Sequence, residues 1–154
     1  MALPPFQTVL EAHRRDVHRF LVASVGPEES DDCFQETFLS ALRAYPKLRD
    51  ASNLRGWLLT IAHHKALDAH RARARRPAPV GEVPEVAVFD EAAADEELWA
   101  RVHELPPKQR AAVMLRFAGD LAYEEISVAL GISADAARRN VHEGLKRMKM
   151  EQTT

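Results

Sequence analysis

The chain has 154 residues, 46% hydrophobic and 29% charged, with a formal net charge of −2, which is enough for one ordinary domain or two small ones and too apolar for a disordered chain. No apolar run approaches the ~20 residues that span a bilayer. The start, Met1-Ala2-Leu3-Pro4-Pro5, lacks the segments of a signal peptide, and the single cysteine, Cys33, excludes an intrachain disulfide, so the expected compartment is the cytoplasm.

A first helix is predicted from about Phe6 to Val25, because Phe6, Val9, Leu10, Val17, Phe20, Leu21 and Val25 recur at helical spacing. Gly26-Pro27 stops it. A second helix is predicted to start near Ser30, where Asp31 and Asp32 suit the positive helix end, with Phe34, Phe38, Leu42 and Tyr45 as its inward stripe. Pro46 ends it, and a polar loop runs to Asn53, an N-cap for a third helix. That helix is expected to bury Leu54, Trp57, Leu58 and Ile61. Thr60, His63, His64, Lys65, Asp68 and Arg71 should point outward or partly so. It ends in a basic stretch, Arg71, Arg73, Arg75 and Arg76.

The composition then shifts. Pro77, Pro79, Gly81 and Pro84 with interspersed acids read as a flexible acidic linker over residues 77–92. Helix resumes near Glu91 with Leu98, Val102 and Leu105 on its apolar side. Pro106-Pro107 breaks it and opens a further helix that buries Val113, Met114 and Phe117. Gly119 permits a turn. Tyr123 to Leu130 is a short helix, Gly131-Ile132-Ser133 a tight turn, and Ala134 to Met148 a last helix with Val141, Leu145 and Met148 inward. The fold class is therefore all-α. Two small helical domains, 1–76 and 93–154, are joined by the linker, and the second carries a helix-turn-helix. Net charge is +3 over residues 1–76, −7 over 77–104 and +2 over 105–154, so two mildly basic segments flank an acidic one.

Two constellations are candidates for function. In the helix-turn-helix, Ile126, Leu130, Ile132 and Val141 are spaced to lock two helices at a steep angle. The last helix then offers Arg138, Arg139, Asn140 and His142 to a major groove, where Arg reads guanine and Asn reads adenine. An ordinary helical hairpin with a solvated basic face has the same spacing. The third helix offers polar groups for base edges and cations for phosphates, with the loop from Tyr45 to Asn53 as a pocket for an unstacked base. Catalysis and metal binding lack a constellation. His63 and His64 are adjacent and point about 100° apart on a helix. There is no H-E-x-x-H, no cysteine pair, no Gly-rich phosphate loop and no nucleophile elbow. No cofactor, metal or enzymatic role is expected, and Cys33 reads as an apolar filler.

The strings carry more than their spacing. Asp16-Val17-His18-Arg19-Phe20-Leu21, Asp31-Asp32-Cys33-Phe34-Gln35-Glu36-Thr37-Phe38-Leu39 and Gly56-Trp57-Leu58-Leu59-Thr60-Ile61-Ala62 resemble the N-terminal domain of extracytoplasmic-function sigma factors. Leu105-Pro106-Pro107-Lys108-Gln109-Arg110, Tyr123-Glu124-Glu125-Ile126 and Ala129-Leu130-Gly131-Ile132-Ser133 resemble their promoter-binding C-terminal domain. The resemblance implies a factor that binds RNA polymerase core and directs promoter-specific initiation. Asp32, Gln35, Glu36, Phe38 and Leu39 would dock on the clamp of the largest subunit. Asn53, Trp57, Thr60, His63, His64, Lys65 and Arg71 would handle the −10 element. Ser133, Arg138, Arg139, Asn140 and His142 would handle the −35 element. Other implied partners are the flap of the second subunit and an anti-sigma factor, without membrane insertion. Several positions depart from the family's habit: His64 stands where Asn is frequent, Cys33 where an aliphatic residue is commoner, and Glu143 and Leu145 where Arg is frequent. The last departure raises an alternative, a sigma-like core-binding adaptor with weakened or altered −35 recognition.

Overall fold

The computed structural model describes residues 3–75 and 93–152, with side chains described through Arg75 and from Glu97 to Lys149. The predicted linker, Arg76 and the expected helix start at Glu91 lie outside the described residues. Among the described residues seven α-helices follow in order: α1 (Phe6–Val25), α2 (Pro27–Ala44), α3 (Leu54–Ala74), α4 (Ala93–Glu104), α5 (Pro107–Phe117), α6 (Tyr123–Leu130) and α7 (Ala134–Gln152), with a short 3₁₀ turn at Tyr45–Lys47. They form two compact units, α1–α3 and α4–α7.

In the first unit each helix packs on the other two. Gly26, at φ 87°, turns the chain within one residue, so α2 begins at Pro27 rather than near Ser30. Proline suits the first helical position because its missing N–H would have no partner there, and Glu28 and Glu29 take the first turn. Ser30 is instead buried and donates back to the Pro27 carbonyl at 3.0 Å. Asn53 caps α3 as expected, its Oδ1 accepting from Gly56 N at 3.0 Å.

The buried face of α3 is rotated from the expected one. Gly56, Leu58, Leu59, Ala62, His63 and Ala66 are buried, whereas Trp57 and Ile61 are only half-buried. Small residues let α3 approach its neighbours closely, and the large ring is left at the margin. Leu42, expected on the inward stripe of α2, is 50% exposed.

In the second unit α5 is the central helix, burying Ala111 through Leu115 in one continuous run. Phe117 lies at the end of that run and is 60% exposed, contrary to its expected burial. Leu98 and Leu145 are likewise largely out of the core, while Val102, Leu105, Ile126 and Val141 are within it. The turn after α5 puts its positive φ on Asp120, not on Gly119. Gly131 closes α6 in the left-handed region at φ 67°, which a Cβ disfavours, and Ser133 Oγ then caps α7 by accepting from Ala136 N at 3.0 Å.

Candidate nucleic-acid interface

Burial divides α7 lengthwise. Ala137, Val141 and Gly144 are buried against the rest of the unit. The approach at Gly144 is close: a Cβ there would stand 2.7 Å from Val113 Cγ2. Arg138, Arg139 and His142 are exposed on the other side. Asn140 is half-buried, and its Nδ2 donates to the Ala136 carbonyl at 3.0 Å, so its amide is occupied by its own helix. Ser133 is exposed but its hydroxyl serves as the cap. Three cations that the motif reading passed over, Lys146, Arg147 and Lys149, are also exposed on α7. Arg138, His142, Lys146 and Lys149 recur at intervals of four, four and three, which places them on one helical face.

A ring sits at the edge of this face. The guanidinium carbons of Arg116 and Arg138 stand 5.0 and 5.1 Å from the centre of the Tyr123 ring, within cation–π range. Arg116 also donates to the Leu121 carbonyl at 3.0 Å, and Arg138 to Asp135 Oδ1 at 3.3 Å. Neither Arg116 nor Tyr123 was a candidate from sequence. Their seven-residue separation spans a turn, so no helical periodicity links them. Glu143 turns toward α5, its Oε2 accepting from Gln109 Nε2 at 3.4 Å.

In the first unit, Trp57, Thr60, His64 and Arg71 share one face of α3 at helical spacing. Thr60 donates to the Gly56 carbonyl at 2.9 Å, and Arg71 lies 3.9 Å from Asp68. His64 is exposed, but His63 is 7% exposed, contrary to its expected outward position. Burial, with repulsion from His64 and His70, pushes the His63 imidazole down to about 4, so it is neutral and part of the core. Lys65 stands apart from the others, lining a cleft between α2 and α3 with Glu29, Asp32, Glu36 and Asp68.

Cys33 lies at the floor of that cleft. Burial, and then the surrounding carboxylates, push its thiol up to about 11, which keeps it protonated and unreactive. On α2, Asp32, Gln35, Glu36 and Leu39 are exposed, and Leu42 and Arg43 extend their stripe. Phe38 does not join them. It is 6% exposed, its ring 4.8 Å from Phe34 and 6.4 Å from Phe6, so it holds α2 in place from beneath. Among the described residues, no group of three or more His, Cys, Asp or Glu side chains is disposed to hold a metal ion, and no helix is long and apolar enough to cross a membrane.

Residues 9–76 match the Sigma-70 region 2 family and residues 95–148 match Sigma-70, region 4. Over 158 aligned residues the chain is 36% identical to the ECF RNA polymerase sigma factor SigD of Mycobacterium tuberculosis, covering 93% of this chain and 74% of that protein. It is 28% identical over 155 residues to the ECF RNA polymerase sigma factor SigX of Bacillus subtilis, covering 92% and 80%. Among solved structures, the sigma factor RpoE of Bartonella quintana, crystallised with the anti-sigma factor NepR, superposes with a TM-score of 0.80 at 20% identity, covering 97% of each chain. CnrH, in complex with the cytosolic domain of CnrY, gives 0.63 at 19% identity over 96% of this chain and 87% of that one. At these identities the two structures establish a shared fold. The region 4 match runs through Glu143 and Leu145, and the adaptor alternative is not favoured.

Proposed function

The chain belongs to the extracytoplasmic-function sigma factors of RNA polymerase, which direct transcription initiation, and we propose how its residues divide that work. Residues 1–76 bind core polymerase and act on the −10 element, residues 93–154 read the −35 element, and the acidic segment 77–92 joins them. Asp32, Gln35, Glu36 and Leu39, with Leu42 added, dock on the clamp of the largest subunit. Phe38 supports them from within α2. The second unit contacts the flap of the second subunit. The loop before α3, with Trp57, Thr60, His64 and Arg71, captures an unstacked non-template base; Asn53 holds the end of that loop. Arg138, Arg139 and His142 enter the −35 major groove, with Lys146 and Lys149 extending the phosphate contacts.

None of these steps calls for covalent chemistry from this chain. Unstacking a base costs a few kcal/mol, offset by a fitted pocket, and cations on the phosphates supply much of the affinity. The protein works in the cytoplasm, where promoter and polymerase meet. RpoE and CnrH were each solved with a partner, NepR an anti-sigma factor, and the exposed stripe of α2 is a surface such a partner would cover here.

The one-sidedness of α7 is the observation that carries the −35 assignment: an apolar, close-packed side backs an exposed cationic one. The test is run-off transcription with core polymerase, start-site mapping and footprinting. Holoenzyme should initiate where core alone does not, and Arg138→Ala with Arg139→Ala should lose the −35 footprint while retaining core binding. An unchanged footprint in that double variant would sink the assignment.

A further inference from the structure

We propose that the segment Pro4–Phe6, which leads into α1, is a positioning element for the −10 pocket and acts through Tyr45. This rests on the reading of the loop before α3 as the site of base capture.

Tyr45 is buried at the junction where α2 ends and that loop begins. Its phenol donates to the carbonyl of Pro4, 41 residues earlier. A buried hydroxyl needs such a partner, and this one ties the end of α2 to the N-terminal segment. The Phe6 ring stands 5.3 Å from the Tyr45 ring and 6.4 Å from Phe38, which continues the cluster into α2. On the loop side, Tyr45 lies 6.2 Å from Trp57 in the first turn of α3. Its own carbonyl accepts from Leu48 N at 3.1 Å, closing the 3₁₀ turn from which the loop departs.

One side chain, placed directly after α2, therefore touches the N-terminal segment and the first turn of α3, while its backbone carbonyl closes the turn from which the loop departs. The segment itself is stiff. Two consecutive pyrrolidine rings restrict its backbone, Pro5 standing at φ −56°, and the Pro5 carbonyl accepts from Thr8 N at 3.0 Å, seating the segment on α1. The other end of the loop is fixed by Asn53 on Gly56 N. Between these anchors a hydrogen bond from Ser52 N to Asp50 Oδ1, at 2.9 Å, sets the local turn. A loop held at both ends captures a base without first being ordered, and freeing its Tyr45 end adds that ordering cost to each capture.

The test uses reconstituted holoenzyme with Tyr45→Phe, which removes only the phenol oxygen, and Phe6→Leu, which removes the ring. Affinity is measured for a single-stranded oligonucleotide of the −10 non-template sequence mapped by the run-off assay. Opening rate is read by permanganate reactivity. Core affinity and −35 protection are measured alongside. Both variants should lose roughly three- to tenfold in oligonucleotide affinity and opening rate, the range of one hydrogen bond or ring contact, with core affinity and −35 protection unchanged. Phe6→Tyr should restore the ring contact, and Gln7→Ala, on an exposed neighbour, should change nothing. Wild-type oligonucleotide affinity in both variants overturns the proposal, as does an equal fall in core affinity, which marks a general folding defect. If the wild-type holoenzyme does not bind the oligonucleotide, the −10 reading fails first and takes the proposal with it.

Discussion

Acid should destabilise the first unit chiefly through one side chain. His63 is buried on α3 and its pKa is pushed from 6.5 down to about 4, chiefly by burial. The unfolded chain therefore binds a proton that the folded chain excludes between these two values. Stability is full above pH 6.5 and falls as the pH drops toward 4. A tenfold difference in proton affinity between the folded and unfolded chains is worth about 1.36 kcal/mol, so the loss from this group reaches about 2.5 kcal/mol at pH 4.5. His13, whose pKa burial also lowers, adds in the same direction, whereas exposed Asp50 titrates below this window. Two tryptophans, Trp57 and Trp99, are present, so a Trp99→Phe background leaves Trp57 as the reporter of the first unit. Urea unfolding at pH 7 and pH 4.5 then compares that background with the same chain carrying His63→Leu. The imidazole-containing chain should lose about 2.5 kcal/mol more between the two conditions. Equal losses in both would refute the assignment of a neutral, buried His63.

Two further outcomes follow from burial and backbone geometry. Leu39→Asp, at a position 52% exposed on α2, should weaken core binding about tenfold or more in an anisotropy titration while leaving the thermal midpoint unchanged. Gly131→Ala should destabilise the second unit by about 1 kcal/mol through its left-handed φ, with Gly131→Asn recovering much of the loss; chemical denaturation followed at Trp99 in a Trp57→Phe background measures both.

What was legible in the sequence is what local chemistry decides. Asn53 and Ser133 cap their helices and Gly131 takes the left-handed turn because each needs only its immediate neighbours. Faces were harder. Helical periodicity fixes which residues share a side, but not which side meets the core when a helix packs on two others. On α3 the hydrophobic reading turned Trp57 and Ile61 inward, and the packed helix turned Ala62, His63 and Ala66 inward instead. Phe117 and Leu145 failed for a related reason: each is apolar, but Phe117 is exposed between buried Leu115 and Leu121, and Leu145 lies beside the line of Ala137, Val141 and Gly144 that meets the core. Phe38 shows the limit of carrying a motif over by position. It belongs to the family string, yet its ring is inside the first unit, and only burial separates a residue that docks from one that supports the dock.

Glu143 shows the same distinction on the DNA side. Read as a letter in a motif, an acid in place of an arginine removes a phosphate contact and adds repulsion. In the folded unit its carboxylate is engaged by Gln109 of α5, on the flank of α7 and away from the line of Arg138, His142, Lys146 and Lys149. Three cations on that line, Arg138, Lys146 and Lys149, outweigh one acid at its margin, since each phosphate neutralised contributes about equally to affinity. Arg138 is further steadied by Tyr123 and Asp135, which limits the freedom it gives up on binding. Glu143 therefore narrows the cationic face of α7 without erasing it, and the proposed −35 contact rests on the residues that remain.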